Sequence, residues 1–180
     1  MTLMTSPPAV RPATLSETER SALKLDEIRR SERRWAYTLL RTLLGVNLLG
    51  HGVIRILHGV PAFASGVSAQ MTSTPLPPAL VNAFAVSIPW IELVLGIFIL
   101  LGLLTRITLT VAMLFMIALT IGVTLRQDWP TAGLQLIYGF VIFTLLFHRP
   151  GYDVSWLPLL GFRPKPWAVK PVHYPQGKPE

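Results

Sequence analysis

The chain has 180 residues, of which 51% are hydrophobic and only 14% are charged. A soluble domain of this size would have difficulty burying so many apolar residues, so the composition favours an integral membrane protein. The formal net charge of +7 does not indicate nucleic-acid binding, because the basic residues lie mainly in the two terminal segments. The absence of cysteine excludes disulfides, thiolate metal ligands and cysteine-held clusters, so any redox role requires a borrowed cofactor.

Two segments precede the first apolar run. Residues 1–14 contain prolines and show no periodicity, so we expect a flexible leader. Residues 15–35 are predicted to form a cytoplasmic or interfacial amphipathic helix, because Ser16 and Glu19 fit a capping box and the arginines near its end suit the helix dipole. This helix either lies on the membrane or on a partner, or is a solvated helix leading into the first span.

Residues 36–160 are predicted to form a bundle of four transmembrane helices. Crossing a bilayer takes about 20 mostly apolar residues, and four runs meet this requirement, at about 37–57, 81–104, 107–125 and 131–147. Very short turns join the second span to the third and the third to the fourth, so these helices must be antiparallel neighbours. The longer connection, residues 58–80, has no Lys or Arg and is predicted to be an outer loop that packs on the membrane face of the bundle.

The positions of the basic residues predict the orientation of the bundle. Most of them fall on the side shared by the two tails, namely Arg29, Arg30, Arg33, Arg34, Arg106, Arg149, Arg163, Lys165, Lys170 and Lys178. Because Lys and Arg near span ends stay in the cytoplasm, both termini are expected there, in a multi-pass protein of the bacterial cytoplasmic (inner) membrane. Residues 161–180 are predicted to form an extended, basic, Pro-rich tail.

Polar residues recur inside the first predicted span, at Asn47, His51 and Arg55, with His58 three residues further on. This spacing places them on one face of the helix, and such groups normally face the bundle interior or a wet cavity. Two structural alternatives stay open, since Arg55 can snorkel to the outer surface and Asn47 can serve only as an interhelical hydrogen-bond donor. No metal site is predicted, because His51 and His58 are about 10 Å apart along one helix.

Glu92 lies near the centre of the second predicted span, where a carboxyl group must be paired or protonated. Because the first and second spans cross the membrane in opposite directions, we expect Glu92 to contact His51 or Arg55. Gln135 and Tyr138, three residues apart in the fourth span, either complete the same cluster or include a tyrosine of the aromatic belt. A functional pocket and a structural polar clamp both stay open. The candidate polar pocket therefore comprises Asn47, His51, Arg55, Glu92, Gln135 and Tyr138.

These motifs resemble the DoxX family of small four-helix membrane proteins, over about residues 37–160. The second span carries the best part of the resemblance, a membrane glutamate followed by spaced glycines and a Gly-Leu-x-Thr-Arg turn, here Glu92, Gly96, Gly102, Thr105 and Arg106. The first span ends with Gly52 and Arg55, where the family often has a glycine and a lysine. The resemblance implies a membrane subunit or accessory factor of redox systems, some of them coupled to quinone.

The leading hypothesis is a DoxX-like subunit or accessory protein of a bacterial respiratory or oxidoreductase complex, without a redox cofactor of its own. Its expected partners are the lipid bilayer and other subunits, for which the two terminal extensions would act as docking straps. The alternative is a subunit that itself handles a quinone or small solute at His51, Arg55 and Glu92, with a quinone or lipid in the pocket. A small transporter is less favoured, because one polar stripe and one acid give no continuous polar path.

Overall fold

The structure, a computed structural model, describes residues 16–152 of the chain. They form five α-helices, α1 (Glu17–Leu57), α2 (Val60–Gln70), α3 (Pro78–Leu101), α4 (Thr105–Leu125) and α5 (Trp129–Tyr152). Residues 16–152 contain no β-strand. All of these helices except α2 are long and apolar enough to cross a membrane. The predicted all-α architecture with four membrane-spanning helices is therefore confirmed.

Helix α1 joins the predicted amphipathic segment to the first span without a break. It begins after Ser16, whose hydroxyl accepts the Glu19 N–H at 3.3 Å while the Glu19 carboxylate accepts the Ser16 N–H at 2.8 Å, so the predicted capping box is confirmed. Residues 16–36 are exposed throughout, and burial begins at Tyr37. At 1.5 Å per residue, the exposed part of α1 extends about 30 Å from the bundle. Its placement on a membrane surface stays a prediction.

The predicted outer loop at residues 58–80 contains a helix, α2, which the sequence pattern did not indicate. Gly59, with φ +100°, lets the chain turn sharply after α1, and Pro61 lies in the first turn of α2, where its missing N–H costs no helical bond. The 11 residues of α2 are mostly small and mixed in polarity, and they are too few to cross a bilayer. The helix packs mainly on α3, and this tertiary contact stabilises a segment too short to be helical alone.

Helices α1 and α3 share the most extensive contact of the bundle. Gly52 lies against the backbone of Pro89 and Leu93, so a Cβ atom at Gly52 would come within 2.6 Å of the Leu93 nitrogen. Gly96 lies equally close to the backbone of Leu49. Small residues let the backbones of membrane helices approach closely and make van der Waals contacts. These contacts drive association in lipid, where burying apolar side chains between helices gives no hydrophobic gain. The two motif glycines therefore set the distance between α1 and α3.

The outer surface of the bundle is apolar. Large side chains are exposed on every long helix, among them Leu43, Trp90, Leu114 and Phe140. A surface of this kind is suited to contact with lipid, and it is far more apolar than the surface of a typical soluble monomer. The predicted leader at residues 1–14 and tail at residues 161–180 lie outside the described residues, as does the end of the predicted membrane domain.

Candidate functional site

A cavity of about 650 Å³ lies at the end of the bundle that carries α2. Helices α2, α3, α4 and α5 and the end of α1 all contribute to its wall, which is mostly apolar. Along α4 the lining extends from Ala118 to Arg126, a length of about 12 Å at 1.5 Å per residue. The polar residues of its lining are Arg55, Gln70, Glu92, Arg126, Thr131 and Gln135. The cavity therefore has the shape and polarity for an amphiphilic molecule.

The Arg55–Glu92 ion pair lies at the inner end of the cavity. Arg55 Nη1 donates a hydrogen bond to Glu92 Oε1, so the structure contains the second of the two contacts predicted for Glu92. Only 5% of the Glu92 side chain is exposed, against 29% for Arg55. The Arg55 guanidinium also lies 4.7 Å from the centre of the Phe63 ring of α2, a cation–π contact. Arg55 thus joins α1 to α2 and α3 rather than extending to the membrane surface.

Two buried oxygen atoms of the cavity residues have no hydrogen-bond partner among the described residues. One is Glu92 Oε2, and the other is Gln135 Oε1 on α5. A buried acceptor without a partner costs free energy, so such atoms are normally satisfied by water or by a ligand. Gln135 lines the same cavity as Arg55 and Glu92.

A second polar cluster joins the end of α2 to the turn between α4 and α5. Arg126 donates to Gln70 at the end of α2 and to Asp128 just before α5. The Asp128 carboxylate also accepts the Thr131 hydroxyl at 2.7 Å and the Thr131 N–H at 3.2 Å, which caps α5. These hydrogen bonds from Thr131, followed by the bond from Arg126, lower the pKa of the Asp128 carboxyl group. The cluster holds α2 over the cavity, and neither Gln70 nor Arg126 was among the predicted site residues.

The other three predicted pocket residues, Asn47, His51 and Tyr138, do not line this cavity. Asn47 accepts a hydrogen bond from the Tyr138 hydroxyl at 3.1 Å, a contact that joins α1 to α5. His51 is exposed. The reason is geometric, because each step of four residues turns a helix by about 40°. Asn47 and Arg55 therefore point about 80° apart, toward α5 and α3 respectively.

A family model for DoxX matches residues 36–125, which are half of the 180-residue chain. The chain belongs to the DoxX family. The matched region extends from the start of the buried part of α1 to the end of α4, and it contains the Arg55–Glu92 pair and the motif glycines. No curated protein and no solved structure matches the chain.

In this DoxX protein the Gly-Leu-x-Thr-Arg turn covers a buried arginine at the opposite end of the bundle. Arg41 is completely buried, and its guanidinium lies so close to Gly102 that a Cβ atom there would overlap it. Gly102 has φ +65°, a left-handed conformation that glycine adopts without strain. Thr105 is buried and donates to the Gly102 carbonyl at 3.2 Å, whereas Arg106 is exposed. The only sequence signal for Arg41 is a cation inside the first predicted span.

Groups that can bind a small molecule line the cavity of this DoxX protein. Within residues 16–152, no three His, Asp or Glu side chains lie close enough to hold a metal ion. The cavity offers an ion pair, an amide and an apolar wall, which are suited to orienting a lipophilic molecule with polar oxygen or nitrogen atoms.

Proposed function

We propose that this DoxX protein is a membrane component of a bacterial respiratory or oxidoreductase system, and that its cavity receives the ring of a quinone-class molecule. The observation that carries the proposal is the placement of the Arg55–Glu92 pair at the inner end of a large, otherwise apolar cavity. A quinone ring is flat and apolar with an oxygen atom at each end, so it needs both an apolar wall and buried hydrogen-bonding groups. The DoxX match supports the redox setting.

Two further features support a role as one subunit among several. The exposed part of α1, residues 16–36, provides about 30 Å of charged helix outside the bundle. This helix and the basic tail would dock on other subunits, and the protein itself contributes no redox cofactor. The distribution of Lys and Arg supports an orientation in the inner membrane with both termini in the cytoplasm, and in this orientation α2 and the cavity would lie toward the outer side.

The test is to isolate the tagged protein from native membranes in mild detergent and to analyse what remains bound. Mass spectrometry identifies the other chains, and solvent extraction followed by chromatography measures the quinone content. The wild-type protein should retain a quinone and co-purify with oxidoreductase subunits. Gly122→Trp should lose the quinone, because a side chain added at Gly122 points at Met71 inside the cavity, where the added Cβ atom would lie 3.7 Å from Met71 Cε.

Gly50→Trp is the matched control, because a Cβ atom at Gly50 meets no atom within 4 Å and Gly50 does not line the cavity. This variant should retain quinone at the wild-type level. Quinone-free wild-type protein, or equal quinone content in the two variants, would exclude the cavity as a quinone site. Isolation without any other chain would exclude the subunit role.

A further inference from the structure

The unpaired polar atoms of the cavity indicate which redox form of the ligand fits. Glu92 Oε2 and Gln135 Oε1 are both buried hydrogen-bond acceptors that lack a partner among the described residues. From this we infer that the cavity selects the reduced hydroquinone, which presents hydroxyl donors, over the oxidised quinone, which presents only carbonyl acceptors. The inference rests on the proposed function and specifies its substrate form.

Glu92 is the residue that makes the distinction. Its Oε1 atom is paired with the Arg55 guanidinium, which is always charged, and from this pairing we infer that Glu92 is ionised; an ionised carboxylate can only accept. A hydroquinone hydroxyl would donate to Oε2 and would form a short, charge-assisted hydrogen bond. A quinone carbonyl at the same position would place two acceptors against each other and leave Oε2 buried without a partner.

The neighbouring polar groups do not cancel this preference. The Gln135 amide can rotate to present either its oxygen or its NH₂ group, so it serves both redox forms. Arg55 donates N–H groups, which both a quinone carbonyl and a hydroquinone oxygen accept. Arg126 also lines the cavity, and its buried Nε atom has no partner among the described residues, but an N–H donor serves a quinone carbonyl and a hydroquinone oxygen alike. Only the Glu92 carboxylate therefore discriminates between the two forms.

A preference for the reduced form has a thermodynamic consequence that can be measured directly. One hydrogen bond to a buried carboxylate, made by the hydroquinone and missing for the quinone, corresponds to about tenfold in the dissociation constant. Binding the two-electron reduced form tenfold more tightly raises the midpoint potential of the bound couple by about 30 mV.

The experiment uses the full-length protein in detergent and a short-chain probe, decylubiquinone, in its oxidised and reduced forms. Isothermal titration calorimetry under anaerobic conditions measures both dissociation constants. The reduced form should bind about tenfold more tightly to the wild-type protein. Glu92→Gln, which places an N–H donor in the same volume, should reduce this ratio to about one. Glu32→Gln makes the same chemical change on the exposed part of α1 and should leave the ratio at the wild-type value.

A redox titration of wild-type protein loaded with decylubiquinone keeps the inference testable if Glu92→Gln does not fold. The midpoint potential of the bound couple should rise by about 30 mV relative to the couple in detergent alone. If the quinone binds as tightly as the hydroquinone, or if the potential is unchanged, the inferred preference for the hydroquinone is wrong. The proposed quinone site is not contradicted by that result. If neither form binds, the proposed function itself is wrong.

Discussion

Replacing Gly52 with alanine should destabilise the bundle, whereas the same change at Gly50 on the same helix should not. An alanine Cβ atom at position 52 would lie 2.6 Å from the nitrogen of Leu93 and 2.8 Å from the carbonyl oxygen of Pro89. Non-bonded heavy atoms prefer separations of about 3.5–4.0 Å. The obstructing atoms belong to the α3 backbone, so α1 and α3 must separate by roughly 1 Å, and overpacking of this kind costs about 1–3 kcal/mol.

The Gly50→Ala variant isolates that packing cost. No atom lies within 4 Å of a Cβ atom at Gly50. Both substitutions gain the same helix propensity over glycine, about 1 kcal/mol. The difference between the two variants is therefore the packing term alone, about 1–3 kcal/mol, or a factor of about 5 to 150 in the unfolding equilibrium.

The assay is equilibrium unfolding in mixed micelles, with an increasing fraction of sodium dodecyl sulfate and tryptophan fluorescence as the signal. Gly52→Ala should unfold at a lower fraction of denaturing detergent than Gly50→Ala, and the wild-type protein should lie between them or near Gly50→Ala. Equal unfolding free energies for the two variants would refute the backbone-to-backbone packing of α1 on α3.

Three further predictions concern the stability of variants. Because the pKa of the Asp128 carboxyl group is lowered in the folded protein, the carboxylate stabilises the fold above its unfolded value of 3.8, and this contribution disappears as the pH falls through the folded value. The melting temperatures of wild-type protein and Asp128→Ala should therefore differ at neutral pH and converge in strong acid, and a constant difference would contradict the assignment. A double-mutant cycle of Tyr138→Phe and Asn47→Ala should give a coupling energy of about 0.6 kcal/mol, with about 1.7 kcal/mol as the upper range, and a value of zero would argue against their hydrogen bond. Gly102→Ala should cost at least about 1 kcal/mol more than Gly133→Ala, because Gly102 has φ +65° whereas Gly133 has open space around it.

The number and approximate positions of the spans were predictable because a bilayer imposes a length and an apolar composition that any sequence must show. The residues at which the spans end were less predictable. The second span was predicted to end at residue 104, whereas α3 ends at Leu101. The next residue, Gly102, adopts a left-handed backbone conformation, which ends the helix. Hydropathy depends on side-chain composition alone, so it cannot show this change of backbone angle inside an apolar stretch.

Helix α2 was not predictable from periodicity, because its residues are small and its helicity depends on contact with α3. Part of the candidate site followed from register alone. The antiparallel arrangement of the first two spans predicted a contact of Glu92 with either His51 or Arg55, and in the structure Glu92 is paired with Arg55. The separation of Asn47 from the cavity follows from the angle of about 80° between Asn47 and Arg55 on α1. The position of Tyr138 depends on how α5 is rotated about its own axis, and spacing along α5 carries no information about this rotation.

The uninterrupted course of α1 has a mechanical consequence. Helix α1 has 41 residues and contains no proline, so its exposed and buried parts tilt together as one rod. If the rod pivots near Tyr37, where burial begins, the exposed tip and Arg55 lie at similar distances, about 30 Å, on opposite sides of the pivot. A tilt of about 10° would displace each by about 5 Å in opposite directions. A spectroscopic probe attached near Glu17 would therefore report the position of Arg55 in the cavity, without any label in the membrane.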